Sequence, residues 1–183
     1  RVGTDGVLLG AWVSVEGVRR VLDVGTGSGL IALQLAQRCP GARITGIEIE
    51  PEAASQAHEN VERSPWAERV EVVCGDFKDY MPVEKFDLIV SNPPYFTDAL
   101  RSPDARRRTE LDYGLLFRHA LDLLAPGGRV AVIIPTEVEV LALDSAFACG
   151  WFLCRRTNVY TKPGKKCRRL LLEFGTKPAV YVA

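Results

Sequence analysis

Short runs of apolar and β-branched residues alternate along the chain with longer segments in which apolar residues recur at helical spacing. Short runs bounded by Gly and Pro predict strands, and their alternation with helices is typical of βαβ units and a parallel sheet. Five strands are predicted at residues 20–24, 43–49, 70–73, 86–90 and 129–134. Helices are predicted at about 29–38, 51–63, 115–124 and 137–148.

The last part of the chain predicts a different arrangement. Strands at 152–160 and 168–174 lie close in sequence and are joined by the turn-rich Lys-Pro-Gly-Lys at 162–165. Such a pair predicts an antiparallel hairpin at one edge of the sheet. We therefore expect an α/β fold with a Rossmann-like, mostly parallel seven-stranded sheet and a C-terminal antiparallel hairpin. A length of 183 residues suits one domain over 1–183.

Composition excludes several classes of protein. Apolar residues make up 47% and charged residues 25%, as in ordinary globular proteins. The five cysteines form no CxxC pair, so we expect reduced packing residues rather than a disulfide framework or a metal site. No apolar run approaches the roughly 20 residues that span a bilayer, and no secretory leader is evident. A cytoplasmic protein without membrane or metal is expected, and a monomer is favoured.

Charge is distributed unevenly although the formal net charge is zero. From Trp151 onward there are eight basic residues and one acid, Glu173, out of 23 residues of each sign. The first 150 residues therefore carry 15 basic and 22 acidic residues. A basic end on an otherwise acidic chain indicates a surface that faces a polyanion, although a solvated hairpin also fits.

The first predicted strand runs into a glycine-rich turn, Val-Leu-Asp-Val-Gly-Thr-Gly-Ser-Gly at residues 21–29. Gly25, Gly27 and Gly29 permit a sharp turn and a close approach of a ligand to the main chain. The spacing differs from the GxGxxG of dinucleotide enzymes, and Asp23 places a carboxylate where a phosphate would be repelled. A ligand with a cationic ammonium group, such as the methionine part of S-adenosylmethionine, is favoured.

Acidic residues follow the next two strands. Glu48 ends the second strand, where a carboxylate can accept hydrogen bonds from both hydroxyls of a ribose, and Glu50 is the alternative. Asp76 ends the third strand and can accept from an adenine amino group, with Phe77 beside the ring. Together with the glycine turn, these positions predict an adenosine site.

Asn92-Pro93-Pro94-Tyr95-Phe96 follows the fourth strand. Two prolines force a rigid extended turn, which would hold the Asn92 side chain and the Pro93 carbonyl at the edge that carries the glycine turn. Two acceptors so placed can bind both hydrogens of an exocyclic amine and favour a pyramidal, nucleophilic nitrogen. Tyr95 and Phe96 offer faces on which an extruded base can stack. His58 and His119 are interpreted as ordinary helix residues.

These segments are similar to those of class I S-adenosylmethionine methyltransferases. More specifically, the chain resembles the bacterial tRNA1(Val) adenine-37 N6-methyltransferases along essentially its whole length. The matching segments are residues 2–12 (Val-Gly-Thr-Asp-Gly-Val-Leu-Leu-Gly-Ala-Trp), 23–32, 64–66 (Ser-Pro-Trp), 91–96 and 102–104 (Ser-Pro-Asp). The first segment and those between 91 and 104 are the most specific, because many methyltransferases share the glycine turn.

The resemblance implies S-adenosylmethionine as cofactor and tRNA as partner. It assigns the cofactor to Gly25, Thr26, Gly27, Gly29, Glu48 and Asp76, and the target amine to Asn92, Pro93 and Tyr95. Asp5 lies in a turn, Thr4-Asp5-Gly6, that is expected to pack over the methionine end of the cofactor. The family's aromatic and basic stretch before the segment matching residue 2 is not in this sequence.

Substrate contacts are predicted for two basic segments. The loop 97–111, which carries Arg101, Arg106, Arg107 and Arg108, is interpreted as a mobile lid that contacts phosphates or as a solvated basic loop. Lys165, Arg168 and Arg169 of the C-terminal hairpin are the other candidates.

Several alternatives remain open at this point. The Asn-Pro-Pro-Tyr chemistry treats planar amines alike, so a release-factor glutamine, guanine N2 of ribosomal RNA and adenine of DNA are further possible targets. A nicotinamide-dependent oxidoreductase and a non-catalytic RNA-binding module are alternatives of other classes. The glycine spacing and Asp23 argue against the former, and the intact Asn92–Tyr95 segment argues against the latter.

Overall fold

The computed structural model describes residues 3–93 and 103–178, with only the backbone described for residues 103–111. The strands are β1 (Arg20–Val24), β2 (Arg43–Glu48), β3 (Val70–Cys74), β4 (Phe86–Ser91), β5 (Leu124–Pro135), β6 (Phe152–Val159) and β7 (Arg169–Gly175). The helices are α1 (Thr4–Trp12), α2 (Leu30–Arg38), α3 (Pro51–Glu62), α4 (Pro103–Leu123) and α5 (Glu139–Ala148). Short 3-10 turns cover Ala67–Arg69, Phe77–Asp79 and Thr136–Val138.

The strands form one seven-stranded sheet in the order β3-β2-β1-β4-β5-β7-β6. Strands β1 to β5 pair in parallel, and β7 runs antiparallel to both β5 and β6. The predicted fold class is therefore confirmed, including the C-terminal hairpin. The carboxyl ends of β1 to β4, where the predicted site residues stand, meet at one edge of the sheet.

Helices cover both faces of the sheet because alternate strand residues point to opposite sides. In β4, Ile89 packs with α4 and α5, whereas Leu88 and Val90 pack with α1 and α2. Strands buried on both faces explain the nearly continuous apolar runs in the sequence. The two resulting cores hold the strand ends in fixed positions beneath the site.

Two predicted boundaries are wrong. Helix α4 begins at Pro103 rather than at residue 115, so the backbone of 103–111 is helical and not part of a loop. Pro at the first position and the Ala, Arg and Glu residues that follow favour a helix, although few of them are apolar. Strand β5 begins at Leu124 rather than at residue 129, and residues 126–128 lie in a bulge between the Phe86–Leu124 and Leu88–Arg129 pairs.

The N-terminal segment also differs from the prediction. Thr4-Asp5-Gly6 forms the first turn of α1 rather than an isolated turn. A β-carbon on Gly6 would lie 3.3 Å from Leu30 Cδ2, so glycine here lets α1 approach α2 closely. Helix α1 was not predicted because it is apolar on most of its surface and therefore lacks the amphipathic period that indicates a helix.

No helix within 3–93 or 103–178 combines the length and apolar character needed to cross a membrane.

Candidate active site

The glycine turn and the Asn92-Pro93 segment leave the sheet from adjacent strands. Strands β1 and β4 pair in parallel, and Val24 lies opposite Ser91 at the last position of each. The Ser91 hydroxyl donates a hydrogen bond to the Val24 carbonyl across 3.0 Å. The two segments that carry the predicted chemistry therefore emerge side by side, one strand spacing apart.

The glycine turn has the backbone conformation that its sequence predicts. Gly25, Gly27 and Gly29 have φ angles of +70°, +56° and +83°, a region that side chains rarely tolerate. The amides of Gly25 and Thr26 donate to the Ile47 carbonyl at 2.9 and 3.0 Å. These bonds attach the turn to β2 as well as to β1, so its main chain is held against the edge where a ligand would bind.

Asp23 lies beneath the turn with its side chain fully buried. Its Oδ2 accepts from the Thr26 hydroxyl at 2.6 Å and from the Ala32 amide at 3.2 Å. Burial raises the pKa of Asp23 from 3.8 to about 6, against the effect of these two hydrogen bonds. Its Oδ1 is buried with no hydrogen-bond partner among the described residues, as expected of a group that can accept from a donor outside the protein.

Glu48 spans the gap between β2 and the glycine turn. Its Oε2 accepts from the Gly27 amide at 2.8 Å and its Oε1 from the Glu50 amide at 3.1 Å. Each carboxylate oxygen keeps a second lone pair for a further donor. Glu50 itself is exposed at the N-terminus of α3. The structure therefore places Glu48 beside the turn, which favours it over Glu50 for a ribose contact.

Asp76 and Phe77 follow β3 in a short 3-10 turn. Asp76 Oδ1 accepts from the Lys78 amide at 3.0 Å, and Oδ2 lies 2.9 Å from Lys78 Nζ. These contacts with Lys78 lower the pKa of Asp76. Phe77 is buried, and its ring meets that of His119 edge-on at a centroid distance of 4.8 Å.

A cavity of about 410 Å³ lies over the ends of these strands and under α4. Its volume is in the range of small-molecule sites, and most of its wall is apolar. It is lined by Val24, Gly25, Ile49, Phe77, Ser91, Pro93, Asp112, Tyr113, Leu115 and Leu116. The glycine turn, the aromatic residue after β3 and the proline after β4 thus face one space.

Comparison with known proteins identifies the family. The model of the methyltransferase small domain matches residues 5–149. A curated tRNA1(Val) (adenine(37)-N6)-methyltransferase from Bacteroides thetaiotaomicron is 50% identical over 180 residues, which cover 95% of this chain and 76% of the relative. The chain belongs to the tRNA1(Val) (adenine(37)-N6)-methyltransferase family. The resemblance inferred from the sequence is confirmed at this level.

Solved methyltransferases share the fold at low identity. A predicted O-methyltransferase from Agrobacterium tumefaciens has a TM-score of 0.77 at 22% identity, covering 98% of this chain and 84% of the other. The glycopeptide N-methyltransferase MtfA, solved in complex with S-adenosyl-L-methionine, has a TM-score of 0.70 at 13% identity, covering 95% and 88%. The likeness confirms the class I methyltransferase architecture expected from the sequence.

The C-terminal hairpin of this methyltransferase lies at the same edge of the sheet as the cavity. Arg169 begins β7, where it pairs with Pro135 at the end of β5 and with Val159 at the end of β6. The connection between β6 and β7 therefore projects from the edge at which β1 and β4 end. Lys165 and Arg168 are exposed on it.

Three of the basic residues that follow Trp151 contact other residues of the protein. Arg169 Nε donates to Asp5 Oδ2 at 2.9 Å, which joins two residues that the sequence assigned to different ligands. Arg155 stacks on the Trp12 ring at 3.7 Å and pairs with the buried Glu173 at 3.4 Å. Arg156 pairs with Glu139 at 2.8 Å. The basic surface available to a polyanion is correspondingly smaller than the sequence count suggests.

Some predicted site residues lie outside the described part of the chain or in a segment for which only the backbone is described. Tyr95 and Phe96 lie outside the described residues, as does Arg101. Arg106, Arg107 and Arg108 lie in α4, where only the backbone is described, so their predicted contacts with phosphates stay predictions. Within the two described ranges, no group of three or more His, Cys, Asp or Glu side chains is arranged to hold a metal ion.

The structure adds residues that the sequence analysis missed. Ile49 follows Glu48 and is 57% exposed although apolar, beside Phe77 in the cavity wall. The available signal in the sequence was an apolar residue directly after the acidic strand end. Gly46 was also missed: a β-carbon there would lie 2.8 Å from Thr26 Oγ1, so only glycine lets the turn rest on β2. Asp112 and Tyr113 reach the cavity from α4, which pattern analysis cannot foresee.

Proposed function

We propose that this chain transfers a methyl group from S-adenosylmethionine to the exocyclic N6 of an adenine in tRNA. The observation that carries the proposal is the Val24–Ser91 pairing, which brings Gly25 of the glycine turn and Pro93, the residue after Asn92, to the wall of one cavity. Membership of the family supports the substrate, since the relatives are named for adenine 37 of tRNA1(Val).

The residues at the edge of the sheet fit this cofactor. Glu48 offers free lone pairs for ribose hydroxyls, and the buried Oδ1 of Asp23 offers an acceptor for an ammonium group. Ile49 and Phe77 provide apolar surfaces for a flat ring. When bound, S-adenosylmethionine supplies an electrophilic methyl group on a sulfonium. The protein's part is to hold that methyl group in line with the target nitrogen.

Asn92 and Pro93 would act on the target amine. An exocyclic amine on an aromatic ring is a poor nucleophile because its lone pair is delocalised into the ring. Acceptance of its two hydrogens by the Asn92 side-chain oxygen and the Pro93 carbonyl favours a pyramidal nitrogen. Positive charge develops on that nitrogen during attack, so fixed acceptor dipoles stabilise the transition state more than the ground state.

The tRNA would approach across the basic hairpin. Lys165 and Arg168 are exposed at the edge that carries the cavity, where they can contact phosphates flanking the target. A cytoplasmic location, a single-domain organisation and a monomeric state complete the proposal. We also propose that Asp5, at the start of α1, lies near the methionine end of the cofactor.

Labelling of separate substrate pools tests the proposal. The protein is incubated with S-adenosylmethionine tritiated in the methyl group and with tRNA, ribosomal RNA, DNA or protein. We expect label in tRNA alone, recovered as N6-methyladenosine after digestion to nucleosides. Unmodified tRNA1(Val) transcribed in vitro should accept label, and the same transcript with guanine at position 37 should not. Label in ribosomal guanine, DNA adenine or a protein glutamine would replace the proposed substrate with that one.

A further inference from the structure

Helix α1 is packed against the helix that follows the glycine turn. Gly6, in the first turn of α1, lies against the side chain of Leu30, the residue directly after the last glycine of the turn. Further along, Arg38 of α2 donates hydrogen bonds to the carbonyl oxygens of Gly10 and Val13, at 2.6 and 2.9 Å. The position of α1 is therefore tied to that of α2, into which the glycine turn leads.

Both ends of α1 are also bonded to the strands of the C-terminal hairpin. At the C-terminal end, Trp12 Nε1 donates to Thr157 Oγ1 at 3.0 Å, and the Trp12 carbonyl accepts from Arg155 at 2.9 Å. At the N-terminal end, Asp5 Oδ2 accepts from Arg169 Nε at 2.9 Å. Helix α1 thus joins the basic hairpin to the segment that carries the glycine turn.

Arg169 differs from the exposed basic residues of the hairpin. Its side chain is 29% exposed and that of Asp5 is 20% exposed, whereas Lys165 and Arg168 are exposed. Its Nη1 donates to the Arg168 carbonyl at 3.0 Å, and the Thr136 amide donates to the same carbonyl at 3.3 Å. The guanidinium group is therefore directed at acceptors of the protein, and a charge-assisted hydrogen bond in a partly buried place is stronger than an exposed ion pair.

We infer that Arg169 is a positioning residue: through Asp5 it holds the first turn of α1 against Leu30, and so holds the glycine turn in the conformation that binds the cofactor. The inference rests on the proposed function and goes beyond it, because the sequence analysis assigned Arg169 to the tRNA. The two roles predict different results. A positioning residue affects cofactor affinity, whereas a phosphate contact affects the salt dependence of RNA binding.

The first measurement is the calorimetric dissociation constant of S-adenosylhomocysteine for Arg169→Gln. We expect binding weaker by about five- to tenfold than in wild type, as for the loss of one charge-assisted hydrogen bond. Unchanged cofactor affinity would overturn the inference.

Arg156→Gln is the matched control for this measurement. Arg156 pairs with Glu139 at 2.8 Å, and the two side chains are 28% and 27% exposed, close to the values for Arg169 and Asp5. Glu139 begins α5, which packs on the opposite face of the sheet from α1. Arg156→Gln should therefore bind S-adenosylhomocysteine within about twofold of wild type, and an equal loss in both variants would show that any ion pair of the hairpin has this effect.

The second measurement is the binding of unmodified tRNA1(Val) at several salt concentrations. Arg169→Gln should keep the wild-type slope of log affinity against log salt concentration, because its guanidinium group is engaged within the protein. A slope shallower by about 1 would identify a phosphate contact and overturn the inference.

A double-variant cycle separates an effect through Asp5 from a general weakening of the fold. Arg169→Gln should weaken S-adenosylhomocysteine binding in the wild-type background and not in Asp5→Asn, and equal losses in both backgrounds would overturn the inference. If Arg169→Gln does not fold, Arg169→Lys takes its place in the cycle, since lysine keeps the charge but lacks the Nε donor. A wild-type protein that binds no S-adenosylhomocysteine would refute the proposed function itself, whereas wild-type binding with an unaffected Arg169→Gln refutes the inference alone.

Discussion

Ser91 Oγ donates a hydrogen bond to the Val24 carbonyl oxygen, 3.0 Å away, where β4 and β1 end side by side. The residue after Val24 opens the glycine turn, and the residue after Ser91 is Asn92. The bond therefore fixes the spacing between the main chain proposed to hold the methyl donor and the side chain proposed to hold its acceptor. Ser91 is buried, so solvent does not offer Val24 a replacement donor.

Ser91→Ala is expected to lower the rate of methyl transfer. Loss of the hydrogen bond should cost about 1 kcal/mol of stability and loosen the two segments relative to each other. Ser145→Ala is the matched control, because the Ser145 hydroxyl donates to the Leu141 carbonyl within α5, away from the site. Urea unfolding should show small losses for both variants, and a single-turnover assay should show a slower rate for Ser91→Ala only. Equal rates would mean that the Ser91 bond does not set the active geometry.

Asp23 should make the protein less stable as pH rises. Burial raises the pKa of Asp23 to about 6 in the folded state, whereas the ordinary value is 3.8. Between these values the folded state binds more protons than the unfolded state, so the free energy of unfolding falls with increasing pH. The contribution reaches about 3 kcal/mol near neutral pH, at 1.36 kcal/mol for each pH unit between the two pKa values.

Asp23→Asn isolates this contribution. The variant has no charge to bury, so its stability relative to wild type should increase as pH rises from about 4 to about 7, as measured by urea unfolding at several pH values. Asp144→Asn, at an exposed position of α5, provides the baseline. A difference between Asp23→Asn and wild type that does not change with pH would show that Asp23 keeps an ordinary pKa in the folded protein.

Gly46→Ala is expected to disturb the glycine turn from its far side. The new β-carbon would lie 2.8 Å from Thr26 Oγ1 and 2.9 Å from Thr26 Cβ, so the turn must shift. We expect a loss of about 1–3 kcal/mol in stability, as for overpacking, and an approximately tenfold weaker binding of S-adenosylhomocysteine. Gly41→Ala meets nothing within 4 Å and should change neither quantity. Unchanged affinity of Gly46→Ala for S-adenosylhomocysteine would show that the position of Thr26 does not affect cofactor binding.

Much of the fold was predictable because buried parallel strands have a strong signature. Both ends of strands β1 to β4, β6 and β7 lie within one residue of the predicted positions, because Gly, Pro and charged residues bound each apolar run. Helix α1 and the first half of helix α4 were not predicted, for opposite reasons. The former is apolar on most sides and the latter is rich in arginine, so neither shows the amphipathic period.

The candidate site was predictable only where it follows the order of the strands. Residues at strand ends, such as Glu48 and Asn92, meet because parallel strands share a carboxyl edge. The direction in which a side chain points at that edge was not predictable from the sequence. The contacts of Asp76 with Lys78 and of Arg169 with Asp5 depend on rotamers and on distant chain segments, which no local pattern encodes. Asp112 reaches the cavity from a helix for the same reason.

The basic hairpin should contribute to RNA affinity through phosphate contacts. Charge reversal of Lys165 and Arg168 together should weaken tRNA binding and reduce its salt dependence by about 1 in the log–log slope for each lost contact. Arg169 is left unchanged because Asp5 already binds its guanidinium. Lys177→Glu is the control, since Lys177 follows the opposite end of β7. An unchanged slope in the double variant would identify the hairpin as a solvated surface.

The most direct test of the proposed active site separates cofactor binding from methyl transfer in Asn92→Ala. Single-turnover transfer to unmodified tRNA1(Val) and the calorimetric dissociation constant of S-adenosylhomocysteine are measured on the same preparation. We predict a rate lower by about 10²–10³-fold, the usual effect of removing one group that stabilises transition-state charge, with a dissociation constant within a few-fold of wild type. Loss of cofactor affinity as large as the loss of rate, or an unchanged rate, would contradict the role assigned to Asn92.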